Sequence, residues 1–489
     1  MTITAATIPS LAPQARRAID AWAPNLDGHD GPLYLAIADS LAAAIVDGTL
    51  PPGTRLPTHR DLAIRLGVTI GTITRAYAEA ARRGLTDGTV GRGTFVRGQD
   101  QVAVPGSGGL VGIDNERTSP ALAGGVINLS VNRPAMGPQV EALRDMLRVL
   151  GGSDELAAVM GYQYPAGAPA HRAAGAAWLR RAGVEVTPDR VIVTAGCQNA
   201  QTIALMTVAR PGDVLLTEAL AYPGLTSLAR RLGLALEPVA LDEEGMRPDA
   251  LEAACRGGGR RFVYLTPTIQ NPTGVVMSET RRRAIAAVAE KCDALLIEDD
   301  VHGFLAPKQT PIAMLAPERT VFVTSVSKAL MPGLRTGYMA LPRRMVDAAT
   351  ETMRATTLMA PPMMAEIVAR WIADGTAEDL TRWQIRDMAQ RNEIAERILG
   401  LDASVPGRPR SFHLWLRIEN GRRAADVVEA ARALGIHVAA AEAFRVGRAP
   451  APEAIRVSLS AAADHGELAE GLRRLADALR FCPDEPALI

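Results

Sequence analysis

The chain has 489 residues, 48% of them hydrophobic and 22% charged, with 53 basic residues balanced by 53 acidic ones. That length suits two or three domains, and a formal net charge of +0 means that any nucleic-acid surface must come from local clustering. No uninterrupted apolar run is long enough to span a bilayer, and the first residues lack the basic-then-apolar order of a secretory signal. The four cysteines (Cys197, Cys255, Cys292, Cys482) lack the spacing of a metal site or disulfide framework, so a cytoplasmic protein is expected.

Residues 1–30 read as an N-terminal extension. In "GPLYLAIADSLAAAIVDG", Pro32 suits the start of a helix, Ile37, Leu41 and Ile45 recur every four residues, and Gly48 ends it. The turn "TLPPGTRLP" leads to "THRDLAIRLG", where Thr58 caps a second helix, Asp61 completes a capping box and Gly67 stops the helix. "TIGTITRAYAEAARRG" predicts a third helix, with Ile70, Ile73, Tyr77 and Ala80 on one side and Gly71, Thr72 and Arg75 on the other. Two short helices across a tight turn predict a helix-turn-helix whose second helix turns its polar face to a major groove. "LTDGTVGRGTFV" adds a hairpin, or wing, with Arg92 at its tip. Residues 31–97 carry eight arginines against five acids, an excess that suits phosphate contacts, although a small helical domain with solvated arginines has the same composition.

The run from "LPPGTRLPTHRDLAIRLGV" through "RAYAEAARRGL" to "GRGTFV" resembles the winged helix-turn-helix of the GntR superfamily of bacterial regulators. That resemblance implies DNA contacts from Arg55, Thr58, Arg60, Thr72, Arg75 and the wing Gly93, with Thr58 standing where the family often has Ser. Residues 98–125, rich in Gly, Ser and Pro, then read as a linker.

From residue 126 onward, short apolar runs alternate with helical patterns. "VIVTAGCQNAQTIAL" is a strand, a Gly turn and a helix, whose free N–H groups favour a phosphate. "VLLTEALAYPG" is a strand leading to an exposed turn with Tyr222, and "FVYLTPTIQNPTG" is one leading to Asn271. "ALLIEDDVHGF" ends a strand on Asp299 and Asp300, and "TVFVTSVSK" ends one on Ser325, Ser327 and Lys328. Ligands gather beyond the carboxyl ends of strands in open α/β sheets, so these side chains are expected in one crevice. Lys328 is one of only three lysines among 53 basic residues, which suggests a task for a primary amine that arginine cannot perform. An amine, a carboxylate, an amide, an aromatic ring and a phosphate cradle together fit pyridoxal 5′-phosphate. Lysine would form the Schiff base, an acid would partner the pyridine nitrogen, and Ser325, Ser327 and Arg335 would meet the phosphate. Each feature alone has a plain structural explanation as a cap, turn or packing residue.

The motifs "YPAG", "GCQNA", "AYPG", "QNPTG", "EDD", "SVSKALMPGLRTGY" and "IRVSLS", spread over residues 126–489, are similar to those of fold-type I aminotransferases. By position the resemblance makes Lys328 the internal aldimine lysine, Asp299 the partner of the pyridine nitrogen, Asn271 the donor to the phenolic oxygen and Tyr222 the stacking ring. It puts Gly196, Cys197 and Gln198 at the phosphate turn, Tyr162 at the phosphate of the other subunit of a homodimer, and Arg456 on a substrate carboxylate. The family commonly has Tyr where this chain has His302, leaving that residue as a substitute donor or a packing residue.

Both halves together resemble the MocR subfamily of transcriptional regulators. The implied fold is α/β: an N-terminal winged helix-turn-helix, a large fold-type I aminotransferase-like domain with a mostly parallel central sheet, and a smaller C-terminal α+β subdomain. The implied function is a dimeric regulator that binds paired half-sites on double-stranded DNA. It would sense an amino acid, an amine or the cofactor itself through the aldimine at Lys328. The alternative is a working aminotransferase with an accessory DNA-binding domain.

Overall fold

The computed structural model describes residues 32–46, 49–51, 54–83, 85–89, 93–96, 125–257, 260–401, 410–419 and 421–480, with Trp22 and Pro24. The chain divides into two compact units, residues 1–108 and 109–489. The rest of the N-terminal extension, Gly48, Arg92, Arg97 and the linker up to residue 124 lie outside the described residues.

The front unit is built on three helices, α1 (Leu33–Val46), α2 (His59–Leu66) and α3 (Ile70–Arg82). Ile37 and Leu41 of α1 are fully buried, with Leu62, Ile73, Tyr77 and Ala80 in the same core. The Thr58 hydroxyl accepts the Asp61 N–H at 3.2 Å and donates to the Asp61 carboxylate at 2.7 Å, which fixes where α2 begins. Gly67, in the left-handed region at φ 64, ends it. Thr69 caps α3 in the same way, accepting the Thr72 N–H at 3.2 Å. Ile70 departs from expectation: it is 53% exposed. Helical side chains lean toward the N-terminus, so a residue at the first position leans past the packed face. Strands β1 (Thr86–Thr89) and β2 (Gly93–Val96) pair antiparallel, with Asp87 opposite Phe95 and Gly88 opposite Thr94, so Asp87 and Gly88 lie within a strand. Arg55 pairs antiparallel with Phe95, which extends the hairpin by a third short segment.

The rear unit is organised by a seven-stranded sheet of β3 (Val191–Thr194), β4 (Val214–Glu218), β5 (Ala235–Val239), β6 (Arg261–Leu265), β7 (Leu295–Asp299), β8 (Thr320–Ser325) and β9 (Gly337–Ala340). Its spatial order is β3-β9-β8-β7-β6-β4-β5; β9 is antiparallel to both β3 and β8, and the other pairings are parallel. Alternation along the strands divides the core between the two faces. Phe262, Tyr264 and Ile297 join one cluster, and Val263, Leu265 and Leu296 join the other. Each fully buried aliphatic side chain contributes about 1.5–3 kcal/mol, and burial on both faces is why these strands read as continuous apolar runs.

A smaller antiparallel sheet follows, ordered β10 (His413–Arg417), β12 (Ala454–Ser458), β11 (Ala439–Ala440). The helices Thr376–Leu399, Ala424–Ala433 and His465–Arg480 supply part of its core. The segment Ile127–Asn128 pairs with Ile436–His437, which ties the start of the unit to this subdomain. No helix among the described residues is long and apolar enough to cross a membrane.

Candidate functional site

Beyond the ends of β7 and β8, the most unusual group is the buried Lys328. Its Nζ donates to the backbone carbonyl of Asn132, on the segment that follows Ile127–Asn128. Burial, reinforced by the nearby cations Arg456, Arg335 and Arg133, lowers its pKa to about 8. About a tenth of the amine is therefore neutral, and nucleophilic, at pH 7.

Asp299, at the end of β7, is buried and holds three side-chain hydrogen bonds. Oδ2 accepts from Tyr264 Oη at 2.5 Å and from Gln201 Nε2 at 2.7 Å, and Oδ1 accepts from Cys197 Sγ at 3.4 Å. Burial raises its pKa against the opposing pull of those donors. Oδ2 thus takes two strong side-chain donors, while the side-chain donor on Oδ1 is a weak thiol that leaves capacity for another N–H.

The helix α4 (Cys197–Val208) opens at Gly196, whose φ of 89 lies in the left-handed region. A β-carbon at Gly196 would sit 2.5 Å from Arg335 Nη2, so only glycine lets the guanidinium approach. Arg335, itself at φ 44, donates to the Ala195 carbonyl at 2.9 Å. Ser325, the last residue of β8, and Ser327, just beyond it, are buried, and Ser325 Oγ accepts the Ser327 N–H at 3.4 Å. Ser327 Oγ has no hydrogen-bond partner among the described residues. Tyr222, expected on an exposed turn, is half-buried at the start of the helix Pro223–Arg231. Its ring lies across Gly224, where a β-carbon would come within 2.2 Å of it, and that glycine explains how a bulky ring folds inward. Gln198 Nε2 donates to the Gly224 carbonyl at 3.3 Å.

Arg456, on β12, is buried, and its guanidinium lies 4.6 Å from the centroid of the Phe444 ring. Nη1 donates to Asn271 Oδ1 at 2.8 Å, and Nη2 donates to the Ser130 carbonyl. Arginine has no acceptor, so this contact assigns the Asn271 amide: oxygen toward Arg456, NH2 left free to donate elsewhere. Burial pulls the Arg456 pKa down to about 10. His302 is buried with its ring 5.5 Å from that of Phe412, and its Nε2 has no partner among the described residues. Burial and the charges of Lys328, His413 and Arg456 push its pKa well down, so it is a neutral imidazole.

The structure therefore brings Cys197 to Asp299, Asn271 to Arg456, Arg335 to Gly196, and Tyr222 to Gly224 and Gln198. It does not bring Tyr162 to them: that side chain is 87% exposed in its own chain. Sequence reasoning missed Tyr264, Gln201, Asn132, Gln270 and His413. Gln201 had a readable signal, since it lies one helical turn after Cys197 and shares its face. Asn132 and His413 had none, because they meet only in the folded chain.

In the front unit, Arg55, Thr58, Arg60 and Arg75 are exposed and Thr72 is half-exposed. Arg75 projects from α3 with its guanidinium 4.2 Å from the centroid of the Tyr34 ring. Thr58 and Thr72 both have hydroxyls occupied at helix starts, Thr72 Oγ1 lying 2.9 Å from Thr69 Oγ1. Gly93 begins β2, across from Thr89.

Comparison with known proteins matches residues 124–475 to the family "Aminotransferase class I and II" and residues 33–96 to "Bacterial regulatory proteins, gntR family". The HTH-type transcriptional regulator YdeF of Bacillus subtilis (strain 168) is 30% identical over 462 residues, covering 94% of this chain and 97% of that relative. The "Probable rhizopine catabolism regulatory protein MocR" of Rhizobium meliloti is 26% identical over 75% of this chain and 76% of its own. Among solved structures, LysN, the alpha-aminoadipate aminotransferase of Thermus thermophilus complexed with N-(5′-phosphopyridoxyl)-L-leucine, superposes with a TM-score of 0.64. It is 25% identical and covers 73% of this chain and 92% of that one.

Proposed function

Because this chain belongs to the aminotransferase class I and II family, and with its gntR-type front unit to the MocR subfamily of transcriptional regulators, we propose that it binds an operator and takes pyridoxal 5′-phosphate around Lys328. The observation that carries this reading is a buried amine, held on the Asn132 carbonyl with its pKa lowered to about 8, just past the end of β8, whose paired neighbour β7 ends on the buried Asp299.

The residues fit the group. Ser327 Oγ and His302 Nε2 are buried polar atoms without partners among the described residues, and the Arg335 guanidinium lies against the bare backbone of Gly196. When bound, the cofactor supplies an aldehyde that condenses with primary amines and a ring that withdraws electrons from them. Lys328 offers the competing amine. Asp299, kept from water and fed by Tyr264, Gln201 and Cys197, would hold a proton between Oδ1 and a ring nitrogen. The turn at Gly196–Gln198, with Ser325, Ser327 and Arg335, would take the phosphate, and Tyr222 would cover the ring. Asn271 has its NH2 free for an oxygen of the ring, with His302 as a second neutral donor. Tyr162 would act in the site of a second copy of the chain.

Arg456 would hold the carboxylate of an effector that also carries an amine. Such an effector would compete with the Lys328 amine and engage Arg456, and it would shift the protein only through its different affinity for two arrangements. Arg55, Arg60 and Arg75 would meet phosphates and bases, with Thr58, Thr72 and Gly93 beside them. Two readers on a homodimer would favour paired half-sites through effective concentration.

The test is borohydride reduction of the protein with pyridoxal 5′-phosphate, followed by peptide mapping. A pyridoxyl adduct on Lys328 is expected, and its absence there would overturn the cofactor reading. A second reading, turnover as an aminotransferase, is favoured by the retention of Lys328, Asp299 and Arg456 together. Many turnovers of an amino donor with a keto acid at ordinary enzyme rates would establish it.

A further inference from the structure

Four hydrogen bonds join the Lys328 amine to a buried acid far from it in the sequence. Lys328 Nζ donates to the Asn132 carbonyl, and Asn132 Nδ2 lies 2.8 Å from His413 Nδ1. His413 Nε2 lies 3.2 Å from the Gln270 carbonyl, and Gln270 Nε2 lies 3.3 Å from Glu218 Oε2. The chemistry of the partners fixes the roles. A carbonyl can only accept, so Nε2 of His413 carries the proton, and Nδ1 must accept from the Asn132 amide. Burial, with Arg456 and Lys328 nearby, holds the His413 pKa down at about 3, so the ring stays neutral and keeps this tautomer across the physiological range.

We infer that His413 is a positioning residue for the reactive amine: it grips the Asn132 side chain and thereby aims the Asn132 carbonyl at Lys328. The segment carrying Asn132 is otherwise a loop, and its next residue, Arg133, is exposed. Arg456 holds this loop at the Ser130 carbonyl, and at Asn132 itself the side chain is held by His413. His413 supplies that anchor from β10, the first strand of the smaller subdomain, while its other nitrogen is tied to Gln270, the neighbour of Asn271. The state of the subdomain strand is therefore transmitted to the amine through one imidazole. The titratable groups facing Lys328 are Arg133, Arg335 and Arg456, with His302 and His413 themselves. A guanidinium stays charged in proteins, and the two imidazoles are neutral, so a change in the amine's midpoint after substitution of His413 reports the carbonyl contact.

This inference rests on Lys328 being the reactive amine, and the experiment separates the two. In the full-length protein freed of cofactor, labelling of Lys328 by acetic anhydride is followed against pH by peptide mass spectrometry. His413→Asn keeps an acceptor where Nδ1 stands, His413→Gln keeps a donor where Nε2 stands, and His413→Leu keeps neither. A carbonyl accepts more strongly from an ammonium than from an amine, so losing the contact lowers the midpoint. A fall of about one pH unit, which takes the free amine at pH 7 up about fivefold, is expected for His413→Leu and His413→Gln. His413→Asn should keep the wild-type midpoint. Equal midpoints in all variants, or equal falls in His413→Asn and His413→Gln, would overturn the positioning role. If His413→Leu does not fold, the Asn and Gln pair decides alone. Wild-type Lys328 titrating like an ordinary lysine would remove the functional reading itself, and this inference with it.

Discussion

Arg60 and Arg75 in the front unit stand in water, whereas Lys328 and Arg456 in the rear unit are buried, and burial depresses both, helped at Lys328 by neighbouring cations. The same sign of charge serves two physical ends. An exposed guanidinium acts at a distance, releases counterions when it meets a phosphate, and is screened over about 8 Å at physiological salt. A buried cation is shielded from salt but is poised in protonation, so it answers to pH and to reagents that reach the pocket. Salt should therefore undo what the front unit does, and pH should undo what the rear unit does. The chain writes arginine almost everywhere, with only three lysines, and the one in the pocket is where a removable proton is useful.

The largest effect should come from the pocket lysine. Lys328→Ala and Lys328→Arg should both abolish covalent retention of pyridoxal 5′-phosphate, read as loss of the visible absorption band and of the borohydride-trapped adduct. Arginine restores the charge but not the nucleophile, so equal loss in both variants is expected. Retention by Lys328→Arg would mean that charge alone holds the cofactor, and the contrast between the two units would fail.

Next in size is a pH effect on the rear unit. Glu218, fully buried at the end of β4, has its pKa pushed up to about 8, chiefly by burial. A group whose folded pKa is raised stabilises most below its unfolded value, and that contribution is lost as pH rises through the folded one. Stability of the rear unit should thus fall between about pH 4.5 and pH 8, by on the order of a few kcal/mol. Glu218→Gln should flatten the profile in that window. Urea unfolding of both proteins at several pH values measures the difference, and parallel profiles would show that Glu218 is not the group responsible.

What could be read from the sequence follows from how local each feature is. The caps at Thr58 and Gly67, the strand ends at Asp299 and Ser325, and the helix start after Gly196 depend on residues within one turn of each other. Ile70 was misread because the helical period says which face a residue shares but not where that face ends. The sheet order was not legible: β9 enters between β3 and β8 antiparallel to both, and no short-range pattern encodes that neighbour. The same holds for the Asn132–His413 contact, whose partners are 281 residues apart. Tyr264 read as one more apolar strand residue, and only the neighbouring strand shows that its hydroxyl is turned to Asp299.

On the front unit, Arg75→Ala should weaken operator binding by about 1–3 kcal/mol, the range for a side chain that reaches a base edge, while cofactor loading is unchanged. Gel-shift and absorption measurements on one preparation test both halves. Equal loss of the two would place Arg75 in the fold rather than on the DNA.

The smallest effect is also the sharpest. Thr58 is expected at the DNA, yet its hydroxyl already accepts from Asp61 N and donates to the Asp61 carboxylate. Thr58→Ala removes the cap and should cost the front unit about 1 kcal/mol in thermal or urea unfolding. Its effect on operator affinity alone cannot separate a lost contact from a frayed α2. Thr58→Ser keeps the hydroxyl, and Thr58→Asn keeps a good cap without one, so both should restore stability. If Thr58 meets the backbone of the DNA through its hydroxyl, Thr58→Ser should bind like the wild type and Thr58→Asn should stay weak despite its restored helix. Full recovery of affinity by Thr58→Asn would instead show that the residue serves the operator only by fixing where α2 begins, leaving Arg55, Arg60 and Arg75 to make the contacts.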